Sequence, residues 1–182
     1  MTCIVAVRTE SNVLMAADSM CTGGFDQYVT DFTKIYRIKP FLIGGSGWPR
    51  FMQRLSVLDL DQKSLPRTHS AMIKFMIQDF ASLVSELYKE LEVDSGGQEV
   101  RGNLLIAWKN SLFRFAPDNT FFEVDDAWAI GSGGEYALGS LHTSAKFLDL
   151  AAKDRADLAL DSAMNLCNTV GGQTYHHWSI NV

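Results

Sequence analysis

The sequence predicts an α+β fold in which antiparallel sheets are covered by pairs of helices. Three observations point to it. Short apolar strands cluster before residue 48 and again between residues 103 and 130. Each cluster is followed by two stretches with helical spacing, and the connections inside the clusters are short enough for hairpins. The chain has 182 residues, 47% of them apolar, which suits one domain over 1–182 with a substantial core.

The strands begin at once. Cys3 to Thr9 partly alternates, Ser11-Asn12 is a turn signal, and Val13 to Ala17 is a second apolar run, so the two read as a hairpin. Ser19 to Thr33 is mixed in character and reads as a loop or irregular strand. Lys34 to Ile38 and Phe41 to Ile43 form another strand pair, broken at Lys39-Pro40. Gly44-Gly45-Ser46-Gly47 then reads as a turn cluster.

Phe51, Leu55 and Leu58 fall at helical spacing, and residues 59–67 form a connection. From Thr68 to Leu91 the series Met72, Phe75, Met76, Phe80, Leu83, Leu87 and Leu91 predicts the longest helix, capped by Thr68 or Ser70. Its aromatic residues read as core or subunit contact. The region 92–101 is polar. Strands return at Asn103–Trp108, Ser111–Ala116, Thr120–Val124 and Trp128–Ile130. Gly131-Ser132-Gly133-Gly134 opens a helix to about Phe147, and a further helix covers about Arg155 to Thr169. A closing strand starts near Thr174.

Bulk properties narrow the function classes. Net charge is −5 and no Lys/Arg-rich run occurs, which argues against a nucleic-acid partner. No apolar run is long enough to span a bilayer, and no basic-then-apolar leader opens the chain. Three widely spaced cysteines (Cys3, Cys21, Cys167) suit neither a disulfide framework nor a zinc site, so the expected compartment is a reducing one, the cytoplasm. His176 and His177 are adjacent and on a strand would face opposite sides, unsuited to a shared metal.

Thr2 follows a methionine. A threonine at a free N-terminus carries nucleophile and base in one residue, because its hydroxyl can attack while its own α-amine takes the proton. An α-amine has a pKa of roughly 7.7–8.0, so part of it is neutral near physiological pH. The chemistry requires removal of Met1, and a small second residue favours trimming. Many chains open Met-Thr without such chemistry, so position 2 alone says little. A nucleophilic threonine also needs a cation, a carboxylate to hold it and N–H donors for an oxyanion. Asp18 at one strand end, Lys34 at another strand start and two glycine clusters supply those residue types.

Several segments together resemble proteasome β-type subunits and HslV-like peptidases, which are N-terminal-nucleophile hydrolases. They are Thr2-Cys3-Ile4-Val5-Ala6-Val7, Val13-Leu14-Met15-Ala16-Ala17-Asp18-Ser19, Thr33-Lys34-Ile35-Tyr36-Arg37-Ile38, Leu42-Ile43-Gly44-Gly45-Ser46-Gly47 and Ala129-Ile130-Gly131-Ser132-Gly133-Gly134-Glu135-Tyr136-Ala137. Each is weak alone, but their order and spacing are distinctive. Thr2 to Asp18 and Asp18 to Lys34 are both sixteen residues.

The resemblance implies a four-layer αββα sandwich and a threonine-type endopeptidase that forms an acyl-ester intermediate. It implies Thr2 as nucleophile and base, Lys34 as the cation beside it and Asp18 as the partner of Lys34. A backbone N–H near Gly47 would form the oxyanion hole, and Ser132 would bond near the amine. The segment after the last helix departs from the proteasome pattern: Cys167 stands where those subunits have Asp, as in HslV-like chains, and Val170 stands where a Ser is usual. Backbone carbonyls of Met164, Cys167 and Val170 would map to a structural sodium site; no other cofactor is implied. Trp48-Pro49-Arg50 replaces small residues, and Trp48 is expected to reshape substrate access. The resemblance further implies a homo-oligomer of stacked rings of six or seven subunits, peptide substrates and an ATP-dependent unfoldase. Two alternatives remain: a silent, Met1-retaining ring or scaffold, and an N-terminal-nucleophile hydrolase of small amides.

Overall fold

The computed structural model describes residues 1–23, 26–29, 33–61, 64–94, 96–97 and 101–180. Two sheets stack face to face. The first has the order β10-β1-β2-β11, with β1 Cys3–Arg8, β2 Val13–Asp18, β10 Ala127–Gly131 and β11 Thr174–Trp178. The second runs β5-β6-β7-β8-β9, with β5 Ile35–Ile38, β6 Phe41–Gly47, β7 Gly102–Trp108, β8 Ser111–Phe115 and β9 Phe121–Val124. Every ladder is antiparallel.

Period-2 alternation makes the layers. Ile4 and Ala6 of β1, and Val13, Met15 and Ala17 of β2, face the second sheet, where they meet Leu42, Leu105 and Ala107. Their neighbours Cys3, Val5, Val7, Leu14 and Ala16 point the other way, onto helices α4 (Gly134–Phe147) and α5 (Ala152–Leu166). On the second sheet Phe41, Ile43, Leu104 and Ile106 face the other helix layer. That layer is α1 (Pro49–Ser56), α2 (His69–Phe75) and α3 (Ala81–Asp94). The result is the αββα sandwich. Strands buried on both faces explain why β1 and β2 read as near-continuous apolar runs.

The elements depart from sequence expectation in four places. The 68–94 helix is interrupted by a π-turn at Met76–Phe80. Its buried residues Met72, Met76, Phe80 and Val84 are four apart each time, which outruns a 3.6-residue turn. The wider turn absorbs that drift and keeps all four on the core face. Val84 rather than Leu83 is therefore in the core, with Leu83 at its edge. Thr68 is the N-cap, accepting from Ala71 N–H.

Second, the glycine cluster at 44–47 is no turn: β6 continues through it to Gly47, paired with β7. The close approach of Ile4 and Met52 to Gly44 and Gly45 leaves no room for larger side chains. Third, part of the 19–33 stretch is a two-stranded hairpin, β3 (Met20–Gly23) with β4 (Asp26–Val29). All four β4 residues are exposed, so no buried alternation marks it. Fourth, α5 starts and stops about three residues earlier than its apolar pattern suggests, because the chain turns at Cys167, whose carbonyl accepts from Val170 N–H at 3.1 Å. Among the described residues no helix is long and apolar enough to cross a membrane.

Candidate active site

The first sheet brings Thr2, Asp18 and Gly131 to one end. Thr2 sits immediately before β1, Asp18 closes β2, and Gly131 closes β10 opposite Cys3. Gly131 has φ +96°, and a Cβ there would lie 2.1 Å from the carbonyl oxygen of Thr2. Only glycine lets β10 leave its strand this close to the residue. The next residue, Ser132, then accepts a hydrogen bond from Thr2 N–H at 3.2 Å, and Gly133 N–H donates to Thr2 O at 3.3 Å.

Asp18 is 1% exposed. Its Oδ1 accepts from Lys34 Nζ at 2.7 Å and from Cys3 N–H at 2.8 Å, and Oδ2 accepts from Gly171 N–H at 3.2 Å. A buried carboxylate is tolerated here because both oxygens are satisfied by a cation and two backbone donors. Lys34 precedes β5 and is also buried. An ammonium has three protons. Those of Lys34 go to Asp18 Oδ1, to Met20 O at 2.7 Å and to Met1 O at 3.2 Å. Thr2 Oγ1 donates to the same Met1 carbonyl at 2.7 Å. The ammonium and the hydroxyl therefore converge on one oxygen.

These groups open into a cleft of about 320 Å³, lined among others by Thr2, Cys21, Lys34, Gly45, Gly47 and Met52. Gly47 lies at the end of β6 with φ +123°, and a Cβ there would collide with Arg101 O at 2.5 Å. Pro49 also lines the cleft. Trp48 instead packs against the α1–α3 layer as the residue before α1, so the expectation that its bulk reshapes access is not what the packing displays.

Of the residues singled out by sequence, Thr2, Asp18, Lys34, Gly47 and Ser132 meet at this cleft or beside it. Cys167 and Val170 stand behind Ser132: Cys167 Sγ donates to Ser132 O at 3.6 Å, and Val170 is buried against Gly133. Met164 is on α5 at the edge of the helix core. Cys3 is fully buried, and burial, with the Asp18 charge, pushes its thiol up to about 12. His176 and His177 are neighbours on β11, and His176 bonds Asp157; among the described residues no group of three or more His, Cys, Asp or Glu side chains is placed to hold a metal ion.

Sequence reasoning missed Thr169. Its Oγ1 lies 3.1 Å from Ser132 Oγ, so the hydroxyl absent at Val170 is present one residue earlier. It missed the backbone donors of Cys3 and Gly171 to Asp18 and the Met20 carbonyl at Lys34, because main-chain partners leave no residue-type signal.

No family model matches the chain. It is 23% identical to the ATP-dependent protease subunit HslV of Petrotoga mobilis, over 91% of this chain and 90% of that one. Solved structures share its fold. Thiobacillus denitrificans BPH, in complex with epoxomicin, aligns with a TM-score of 0.76 at 22% identity, covering 97% of both chains. Eukaryotic HslV from Trypanosoma brucei aligns at 0.69 with 18% identity, over 97% of this chain and 98% of that one.

Proposed function

For a chain that is proteasome β-subunit/HslV-like in sequence and fold, we propose the role of a threonine-type endopeptidase subunit in a self-compartmentalising ring. The observation that carries it is the convergence of Lys34 Nζ and Thr2 Oγ1 on the Met1 carbonyl at 3.2 and 2.7 Å. Once Met1 is gone, the nitrogen of Thr2 is an amine rather than an amide, and one Lys34 proton loses its acceptor. Thr2 Oγ1 then attacks a peptide carbonyl and passes its proton to the α-amine. The Lys34 ammonium lowers the energy of the developing alkoxide, held in place by Asp18 and Met20 O. The Gly47 N–H stabilises the oxyanion. The amine returns its proton to the departing peptide amine, leaving an acyl ester on Thr2 that water hydrolyses.

Carbonyls of Met164, Cys167 and Val170 lie at and beyond the C-terminal end of α5, where the helix dipole and unpaired carbonyls suit a sodium ion. The Cys167 carbonyl already accepts one N–H, which leaves it a single lone pair for that ion. In this reading the subunit forms stacked rings in the cytoplasm and receives chains from an ATP-dependent unfoldase, in keeping with its likeness to an ATP-dependent protease subunit. Exposed Phe147 at the end of α4, with Leu148 and Leu150 after it, supplies apolar surface for contact between copies.

The test is intact mass together with reaction with a peptide epoxyketone, which requires both the hydroxyl and a free amine of one residue. Trimmed protein that is modified at Thr2, and a Thr2→Ala variant that is inert, are the expected results. A protein that keeps Met1 and cleaves no peptide is a silent scaffold.

A further inference from the structure

Ser132 belongs to a longer run of side chains. Its Oγ accepts from Thr2 N–H at 3.2 Å and lies 3.1 Å from Thr169 Oγ1. Thr169 Oγ1 lies 3.2 Å from Cys167 Sγ. Cys167 Sγ reaches back to the Ser132 carbonyl at 3.6 Å, which closes a ring. Val170, the neighbour of Thr169, has only methyl groups to offer and packs them on Gly133.

We propose that Thr169 is a positioning residue: its hydroxyl couples Cys167 to Ser132 and sets which way the Ser132 hydroxyl faces the nitrogen of Thr2. Its catalytic meaning rests on the reading of Thr2 as nucleophile. Each hydroxyl has one proton to give. While Thr2 N–H donates to Ser132 Oγ, the Ser132 proton turns to Thr169 or, at 3.3 Å, to Thr2 O. Thr169 then donates to Cys167 Sγ, and a Ser132 lone pair is left facing the nitrogen. That direction suits an ammonium. In the reverse direction Thr169 donates to Ser132, and Ser132 offers its proton to the lone pair of a free amine. A concerted turn of the Thr169 and Ser132 hydroxyls therefore serves the nitrogen before and after it takes the threonine proton.

Cys167 favours the first direction: its thiol proton is directed at the Ser132 carbonyl at 3.6 Å, which leaves the sulfur to accept from Thr169 Oγ1 at 3.2 Å. The other ionisable groups around Thr2 are Asp18 at the end of β2, Lys34 before β5 and Cys3 on β1, with Cys21 of β3 and Tyr28 of β4 on the wall of the same cleft. Asp18 and Lys34 are bonded to each other and to backbone, and Cys3 is buried in the helix-facing core. Among the described residues, Cys167 is the one joined to Ser132 through a hydroxyl.

The experiment compares Thr169→Val and Thr169→Ser in protein trimmed of Met1. Two quantities are read: kcat and KM on a fluorogenic peptide, and the titration of the Thr2 amine by competitive labelling with acetic anhydride. Thr169→Val is expected to lower kcat about tenfold with KM within about twofold. It should also move the amine titration down by about half a pH unit, because Ser132 then donates to the free base. Thr169→Ser should restore both, which a merely structural role would not do for the titration. Unchanged kcat and titration in Thr169→Val, in protein whose Thr2 still takes the epoxyketone, would overturn the coupling and leave the nucleophile intact. A Thr2 that refuses the epoxyketone while Thr169→Val still shifts the amine would overturn the nucleophile and leave the coupling.

Discussion

Lys34 Nζ and Asp18 Oδ1 are 2.7 Å apart with 4% and 0% of their side chains exposed. A pair this buried is held by mutual need. Asp18→Ala strands an ammonium in the core and is expected to cost about 3–5 kcal/mol in urea unfolding. Asp18→Ala combined with Lys34→Met should cost less than the two single changes added together, since no unpaired charge is left. An additive double variant would mean that the pair does not interact. Both single variants should be inactive on peptide.

Gly131→Ala places a methyl group against Thr2 O at a backbone angle side chains disfavour. Unfolding should become easier by about 1–3 kcal/mol, and peptide cleavage should drop further than stability does, because the displaced atom belongs to Thr2. Native-like activity in this variant would show that the position of Thr2 is not set by β10.

Burial, with the Asp18 charge, pushes the Cys3 thiol up from 9.0 to about 12 in the fold. Its folded value is raised, so the unfolded chain gives up that proton first. Stability from this group is complete below pH 9 and is lost as pH climbs toward 12. Urea midpoints should fall across that window, and Cys3→Ala should make the fall shallower. A matching chemical readout is alkylation: at pH 8 in the native state iodoacetamide should modify Cys167 and spare Cys3.

Phe147→Glu with Leu148→Glu alters exposed side chains only. Circular dichroism should stay native while sedimentation shifts from large particle to small. Unchanged particle size would place the subunit contacts elsewhere.

Much of the sandwich was legible because β1 and β2 are apolar on both faces and the helix stripes are long. The π-turn was hidden because a run of four-residue steps still looks helical in a list of apolar positions. The hairpin at β3 and β4 was hidden because exposed strands carry no burial pattern. At the site, Asp18 and Lys34 stood out as charges at strand ends. Thr169 did not, since it lies one residue from where a pattern match looks for a hydroxyl. The main-chain donors of Cys3 and Gly171 depend on how strands end, which residue types do not encode.

Met1 lines the cleft, gives its carbonyl to Lys34 and Thr2, and its ammonium donates to Thr22 Oγ1 at 3.0 Å. The chain thus wears its own occupant in the seat proposed for substrate. Trimming one residue would create the base, free one N–H of the Lys34 ammonium and vacate the seat in a single cut. On the proposed reading, a subunit still bearing Met1 would be safe to accumulate until that residue is removed.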